Sequence, residues 1–117
     1  MSVYVSASMN PIAREQVQVQ IAATIRAGAP KYNAGDARGC FQLYFKTYNS
    51  LLQDPQVRGQ RNVAHILERQ LDQVKTSRQE NWDKNAWTLR HGFDEVLETL
   101  GKALAPPAEG RGVGVGV

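Results

Sequence analysis

Cys40, His65 and His91 are the side chains best suited to nucleophilic, acid–base or metal chemistry in this sequence. A thiol reacts as its thiolate, so Cys40 would need exposure and a neighbouring positive charge to lower its pKa. It falls instead on an apolar stripe with Ala37 and Tyr44, where a free cysteine packs as a small hydrophobe. Arg38 and Lys46 are close in sequence but point to other sides of the same helix. His65 and His91 belong to different predicted helices, and neither has a second histidine one turn away. Glu68 and Asp94 follow them by three residues, which favours local pairing over a shared metal site. No serine has a base at helical spacing, and no glycine loop follows a strand to cradle a phosphate. These residue types predict no enzyme, no cofactor and no metal. A single cysteine also rules out an internal disulfide.

Polar and aromatic groups suit binding better. Asn33 and Asp36 could hold a cation, but turn and capping roles already explain both. Arg90 either pairs with Asp94 one turn later or reaches the turn at Asn33–Asp36 and bonds Asp36 or the carbonyls there. The second arrangement is preferred, since it would bring two separate motifs to one place. Tyr32, Tyr44, Tyr48, Trp82 and Trp87 are expected to pack in the core. Alternatively, Trp82 or Tyr48 flanks a groove for a peptide helix or a flat, pigment-like ligand.

Helices must position these groups. Asn10-Pro11 is a start signal, with a capping side chain followed by a proline in the first turn. Val17, Ile21 and Ile25 then share a face. Gly28 and Pro30 allow two endings, near Ala27 or onward to Tyr32, and the alignment of Tyr32 with the apolar stripe favours the second. Gly35 supplies the turn, and Asp36 caps a second helix whose Ala37, Cys40, Phe41, Tyr44, Thr47, Tyr48 and Leu51 form one face. Leu43, Phe45 and Leu52 widen that face, which predicts a central helix. Asp54-Pro55 ends it. A third helix carries Val63, Ile66, Leu67, Leu71 and Val74, with Gln60, Arg61, Glu68, Gln70 and Gln73 on its other side, and it ends near Thr76. Ser77-Arg78-Gln79-Glu80 has the spacing of a capping box for a fourth helix, from about Arg78 to Leu100. Trp82, Ala86, Leu89, Phe93, Val96, Leu97 and Leu100 line its buried stripe, with Trp87 alongside. Only Val3-Tyr4-Val5 could be a short strand.

The expected fold is all-α: two antiparallel helical hairpins that close as a four-helix bundle or stack as repeat hairpins do. The helical domain spans 10–104, after an N-terminal extension at 1–9 and before a Gly/Val-rich flexible tail at 105–117. Hydrophobic residues make up 42% and charged residues 21%, in the globular range. The net charge of +3 is scattered rather than gathered on one face, which argues against a nucleic-acid partner. No apolar run reaches the length of a membrane span, which leaves peripheral association open, and the N-terminus lacks the pattern of an intact signal peptide.

Two motifs carry resemblances. The spacing of Gly28, Gly35, Cys40 and Tyr44 resembles one tetratricopeptide hairpin, in which one glycine lets two helices approach, another makes the turn, and a small residue packs beneath an aromatic. Pro30 departs from that pattern and no second copy follows. The fuller segment G-x-P-x-Y-N-x-G-D-x-x-x-C-x-x-x-Y, from Gly28 through Pro30, Tyr32, Asn33, Gly35, Asp36 and Cys40 to Tyr44, is followed by W-x-L-R-x-x-x-D at Trp87, Leu89, Arg90 and Asp94. Together these resemble a small uncharacterised helical domain of cyanobacterial and algal proteins, over roughly Ile21 to Leu100. That resemblance brings no catalytic residue with it. It implies a photosynthetic organism and a plastid or thylakoid-associated role.

The expected function is a non-enzymatic interaction or structural subunit with a protein partner, one version being a peripheral subunit of a photosynthetic membrane complex. The alternative is a bundle that binds a small ligand or pigment. A thiol sensor acting through Cys40 is a third option.

Overall fold

A computed structural model of the chain describes residues 10–78 and 80–104, with 102–104 as backbone only. The extension at 1–9 with its Val3–Val5 segment, the tail at 105–117 and Gln79 lie outside the described residues. The fold is all-α. Five helices make it up among the described residues: α1 (Pro11–Asn33), α2 (Ala37–Leu52), α3 (Pro55–Gly59), α4 (Arg61–Thr76) and α5 (Trp82–Leu104).

Asn10 starts α1 as its residue type predicts, its Oδ1 accepting from Ile12 N at 2.9 Å and Ala13 N at 3.4 Å. The helix runs through Gly28 and Pro30 to Asn33, the longer of the two expected endings. Pro30 has no N–H to give, so it costs the last turns one backbone bond without ending them. The helix closes in a Schellman arrangement: Asp36 N donates to Lys31 O at 2.8 Å, and Gly35 N donates to Tyr32 O at 3.0 Å. Gly35 sits at φ +93°, a backbone region that a side chain would strain. Asp36 then begins α2, its Oδ1 accepting from Gly39 N at 2.9 Å. One short turn thus finishes one helix and caps the next.

The buried stripes fix the packing. Cys40, Tyr44, Tyr48 and Leu51 face inward from α2, and Ala86, Leu89, Phe93, Val96 and Leu100 from α5. These two helices pack against each other in the middle, with α1 against α2 and α4 against α5. Cα positions span 49 × 30 × 19 Å, about two helix layers in the thinnest direction.

Three local readings are corrected. Asp54-Pro55 does more than end α2. Asp54 Oδ1 accepts from Gln56 N at 2.9 Å and opens the one-turn α3, which buries Val57 completely. The capping box at Ser77 does not start the last helix, which begins at Trp82. Ser77 Oγ lies 2.6 Å from Asn85 Oδ1, and Asn85 Nδ2 donates to Arg78 O at 3.1 Å, so a buried asparagine ties the connection from within. Gln70, assigned to the polar side of its helix, is buried, and its Nε2 donates to Thr88 O at 2.8 Å. The amide is satisfied there, which removes the usual penalty for enclosing it.

Candidate functional site

The C-terminal end of α1, the start of α2 and the start of α5 meet around one cavity. One wall depends on a glycine. A Cβ on Gly28 would come within 2.5 Å of Tyr44 Cε1, so the missing side chain is what lets the Tyr44 ring lie over α1. Tyr44 packs edge-on against Phe93, with centroids 5.3 Å apart, while Cys40 lies one turn earlier on α2 and is 1% exposed. Arg90 approaches from α5. Its Nε donates to Asp94 Oδ1 at 3.2 Å, and only 17% of its side chain is accessible.

The opposite wall is aromatic. Trp87 Nε1 donates to Tyr32 Oη at 3.0 Å, and that hydroxyl donates to Asp83 Oδ1 at 3.1 Å. The two rings meet edge to face at 5.8 Å. The Arg90 guanidinium carbon lies 6.0 Å from the Trp87 ring centre, at the outer reach of a cation–π contact. The space so enclosed is about 170 Å³, lined by Tyr32, Asn33, Cys40, Tyr44, Trp87 and Arg90 with Ala29 and Ala86. Trp87 remains 45% exposed, a large ring held at the rim.

Electrostatics make these groups poor proton carriers. Burial pushes the Cys40 thiol above its ordinary value of 9.0; hydrogen bonding to Tyr44 and the Arg90 charge oppose the rise without cancelling it. Burial likewise raises Tyr44, helped by its interaction with Cys40 and opposed by Arg90. Both groups therefore stay protonated near neutrality. Neither is a ready nucleophile or base.

The residues singled out from sequence separate into three groups. Tyr32, Asn33, Cys40, Tyr44, Trp87 and Arg90 line the cavity; Gly28, Gly35 and Asp36 shape its α1–α2 side; Pro30 and Leu89 lie outside it, Leu89 fully buried and Pro30 exposed. Arg90 takes Asp94 as its ion-pair partner, not Asp36, whose carboxylate is spent on the α2 cap. The two motifs still come together, at the cavity rather than through that bond. Tyr48 is corrected as an interface residue. It is fully enclosed, and its hydroxyl donates to Leu89 O at 2.6 Å, so it offers nothing to a partner. Trp82 is half-buried beside Phe41 at 5.5 Å, with Arg38 5.1 Å above its ring, and is not part of the cavity lining. His65 and His91 are both exposed, and His91 lies 5.7 Å from the Trp87 ring. Among the described residues no group of three or more His, Cys, Asp and Glu could hold a metal ion. No described helix is long and apolar enough to cross a membrane.

Ala29 and Ala86 were not anticipated in the lining. Their signal was present: small residues in register with Tyr32, Trp87 and Arg90 leave room where larger ones would fill it. Comparison with known families, characterised proteins and solved structures finds no match for this chain.

Proposed function

We propose that the chain is a non-enzymatic recognition domain whose partner engages the cavity between the α1–α2 turn and the start of α5. The observation that carries this reading is Trp87, a large ring held 45% exposed at the mouth of a recess whose other walls are two tyrosines and an arginine. Trp, Tyr and Arg are enriched among the anchoring residues of interfaces. The raised thiol and phenol support binding over catalysis. The resemblance to cyanobacterial and algal domains extends the proposal to a peripheral subunit of a photosynthetic membrane complex, on the motif residues alone.

The small-ligand reading uses the same recess and is favoured by its size. About 170 Å³ compares with the roughly 150 Å³ cavity that holds a benzene molecule. One ring or one side chain fits. A large flat pigment does not fit inside it.

A fragment screen on the full chain by two-dimensional NMR tests the proposal. Single-ring fragments should shift the Trp87 indole resonance and the amides of Tyr32, Tyr44 and Arg90 together, and Trp87→Ala should abolish the response of the other three. Shifts scattered over the surface, or none at these residues, would refute it.

A further inference from the structure

We propose that this recess selects a small organic anion, a carboxylate carried on one ring or one branched apolar group, with the carboxylate on Arg90 and Tyr44 and the apolar part against Trp87 and Tyr32. The assignment rests on the recess being the recognition site.

The polar groups decide the chemistry. The Trp87 N–H is already given to Tyr32, and the Tyr32 hydroxyl is already given to Asp83. Both rings therefore offer apolar surface to an occupant, not donors. Arg90 differs. A guanidinium has five N–H donors, and the ion pair with Asp94 uses Nε. Asp94 is 51% exposed, so its carboxylate is well hydrated and offsets the arginine charge only weakly. Among the described residues no other carboxylate pairs with Arg90. A largely enclosed cation with one loosely held anionic partner favours an anion, and the planar fork favours a carboxylate held by two parallel bonds. The neighbouring Tyr44 hydroxyl stays protonated at neutral pH, and it can turn from the Cys40 sulfur, a weak acceptor, to donate to an occupant. Asp83 and Asp36 lie at the edges, exposed and engaged by Tyr32 and by Gly39 N, so neither occupies the anion position.

Size sets the rest. A volume of about 170 Å³ accepts a benzoate-sized molecule or the terminal residue of a peptide. These two sources share the chemistry and are separated by the probes.

The test titrates the full chain with benzoate, its neutral isostere benzamide, and a short peptide ending in phenylalanine as free acid or amide, read by calorimetry and the Trp87 indole resonance. Benzoate should bind saturably and at least about ten-fold tighter than benzamide, the loss expected when a charged hydrogen bond is replaced by a neutral one. Arg90→Gln should bring benzoate to the benzamide level. Asp94→Asn, which frees the guanidinium and keeps the cavity, should tighten benzoate several-fold, and this variant retains the test if Arg90→Gln fails to fold. A free-acid peptide that also outbinds its amide assigns the site to a chain terminus; benzoate alone assigns it to a free acid. Equal binding of benzoate and benzamide at Trp87 overturns the carboxylate assignment and leaves the recognition site standing. No response at Trp87 to any probe overturns both.

Discussion

Tyr44 and Tyr48 sit one turn apart on the same face of α2, both against Phe93, and they end in opposite surroundings. Each meets a glycine: Gly28 on α1 makes room for the Tyr44 ring, and Gly92 on α5 makes room for the Tyr48 hydroxyl, which an added Cβ would strike along with Gln70 Cγ. At Tyr48 that space closes completely. The hydroxyl reaches Leu89 O, Gln70 reaches Thr88 O, and nothing is left open. At Tyr44 the helices leave a recess, and its hydroxyl meets Cys40 and Arg90 at that recess. The same residue type and helical register thus yield a structural hydrogen bond at one position and a candidate binding wall at the next. The difference lies in what the opposing helix carries: two main-chain carbonyls at one, Ala86, Trp87 and an arginine at the other.

The largest effect should come from removing what the two tyrosines share. Phe93→Ala leaves a hole between both rings and should lower stability by about 3–5 kcal/mol in urea unfolding. Gly92→Ala attacks the closed side alone and should cost about 1–3 kcal/mol through overpacking. Fragment binding at Trp87 should survive in that variant, and its loss would show that the two sides are not separable.

Alkali should act next. Tyr48, Tyr44 and Cys40 are all raised in the folded state, chiefly by burial. The unfolded chain releases these protons near the ordinary values of 10.0 for tyrosine and 9.0 for cysteine, while the folded chain keeps them. Stability is therefore complete below about pH 9 and falls as pH rises beyond it, by at most about 1.4 kcal/mol per pH unit for each group. Urea midpoints from pH 7 to 11 measure this, and Tyr48→Phe should flatten the decline. At neutral pH, Tyr48→Phe should cost about 1 kcal/mol for the bond to Leu89 O. Tyr44→Phe should cost least, about 0.5 kcal/mol or less, because its hydroxyl meets the Cys40 sulfur, a weak acceptor, and Arg90. A larger loss there would place Tyr44 with Tyr48 as a purely structural group.

The fold was largely legible because α2, α4 and α5 repeat apolar residues at helical pitch, and the turn at Gly35–Asp36 has few alternatives. Asp54-Pro55 pairs a capping side chain with a first-turn proline just as Asn10-Pro11 does, but as a stop for α2 it already has a role, which hides the one-turn α3. Gln70 falls on the buried register, four residues from both Ile66 and Val74, and its polarity alone suggested exposure. At Ser77 the capping-box spacing was present, but Asn85, eight residues away, uses the hydroxyl instead. The site was legible as residues and not as a cavity. Tyr32 and Trp87 are 55 positions apart, and no local spacing reveals that their rings would touch.

α1 supplies Ala29, Tyr32 and Asn33 to the recess, yet it fully buries only Val17, Ile21 and Gly28 along its 23 residues. The 16-residue α4 buries seven. The wall that gives the recess its shape therefore belongs to the helix that buries the smallest share of its residues, and α1 should detach before α4 in sub-global opening. Amide hydrogen exchange should be fastest there in the empty protein. An occupant that touches both Tyr32 and Trp87 would latch that helix down, so its arrival should register as slowed exchange along α1, far beyond the atoms it contacts.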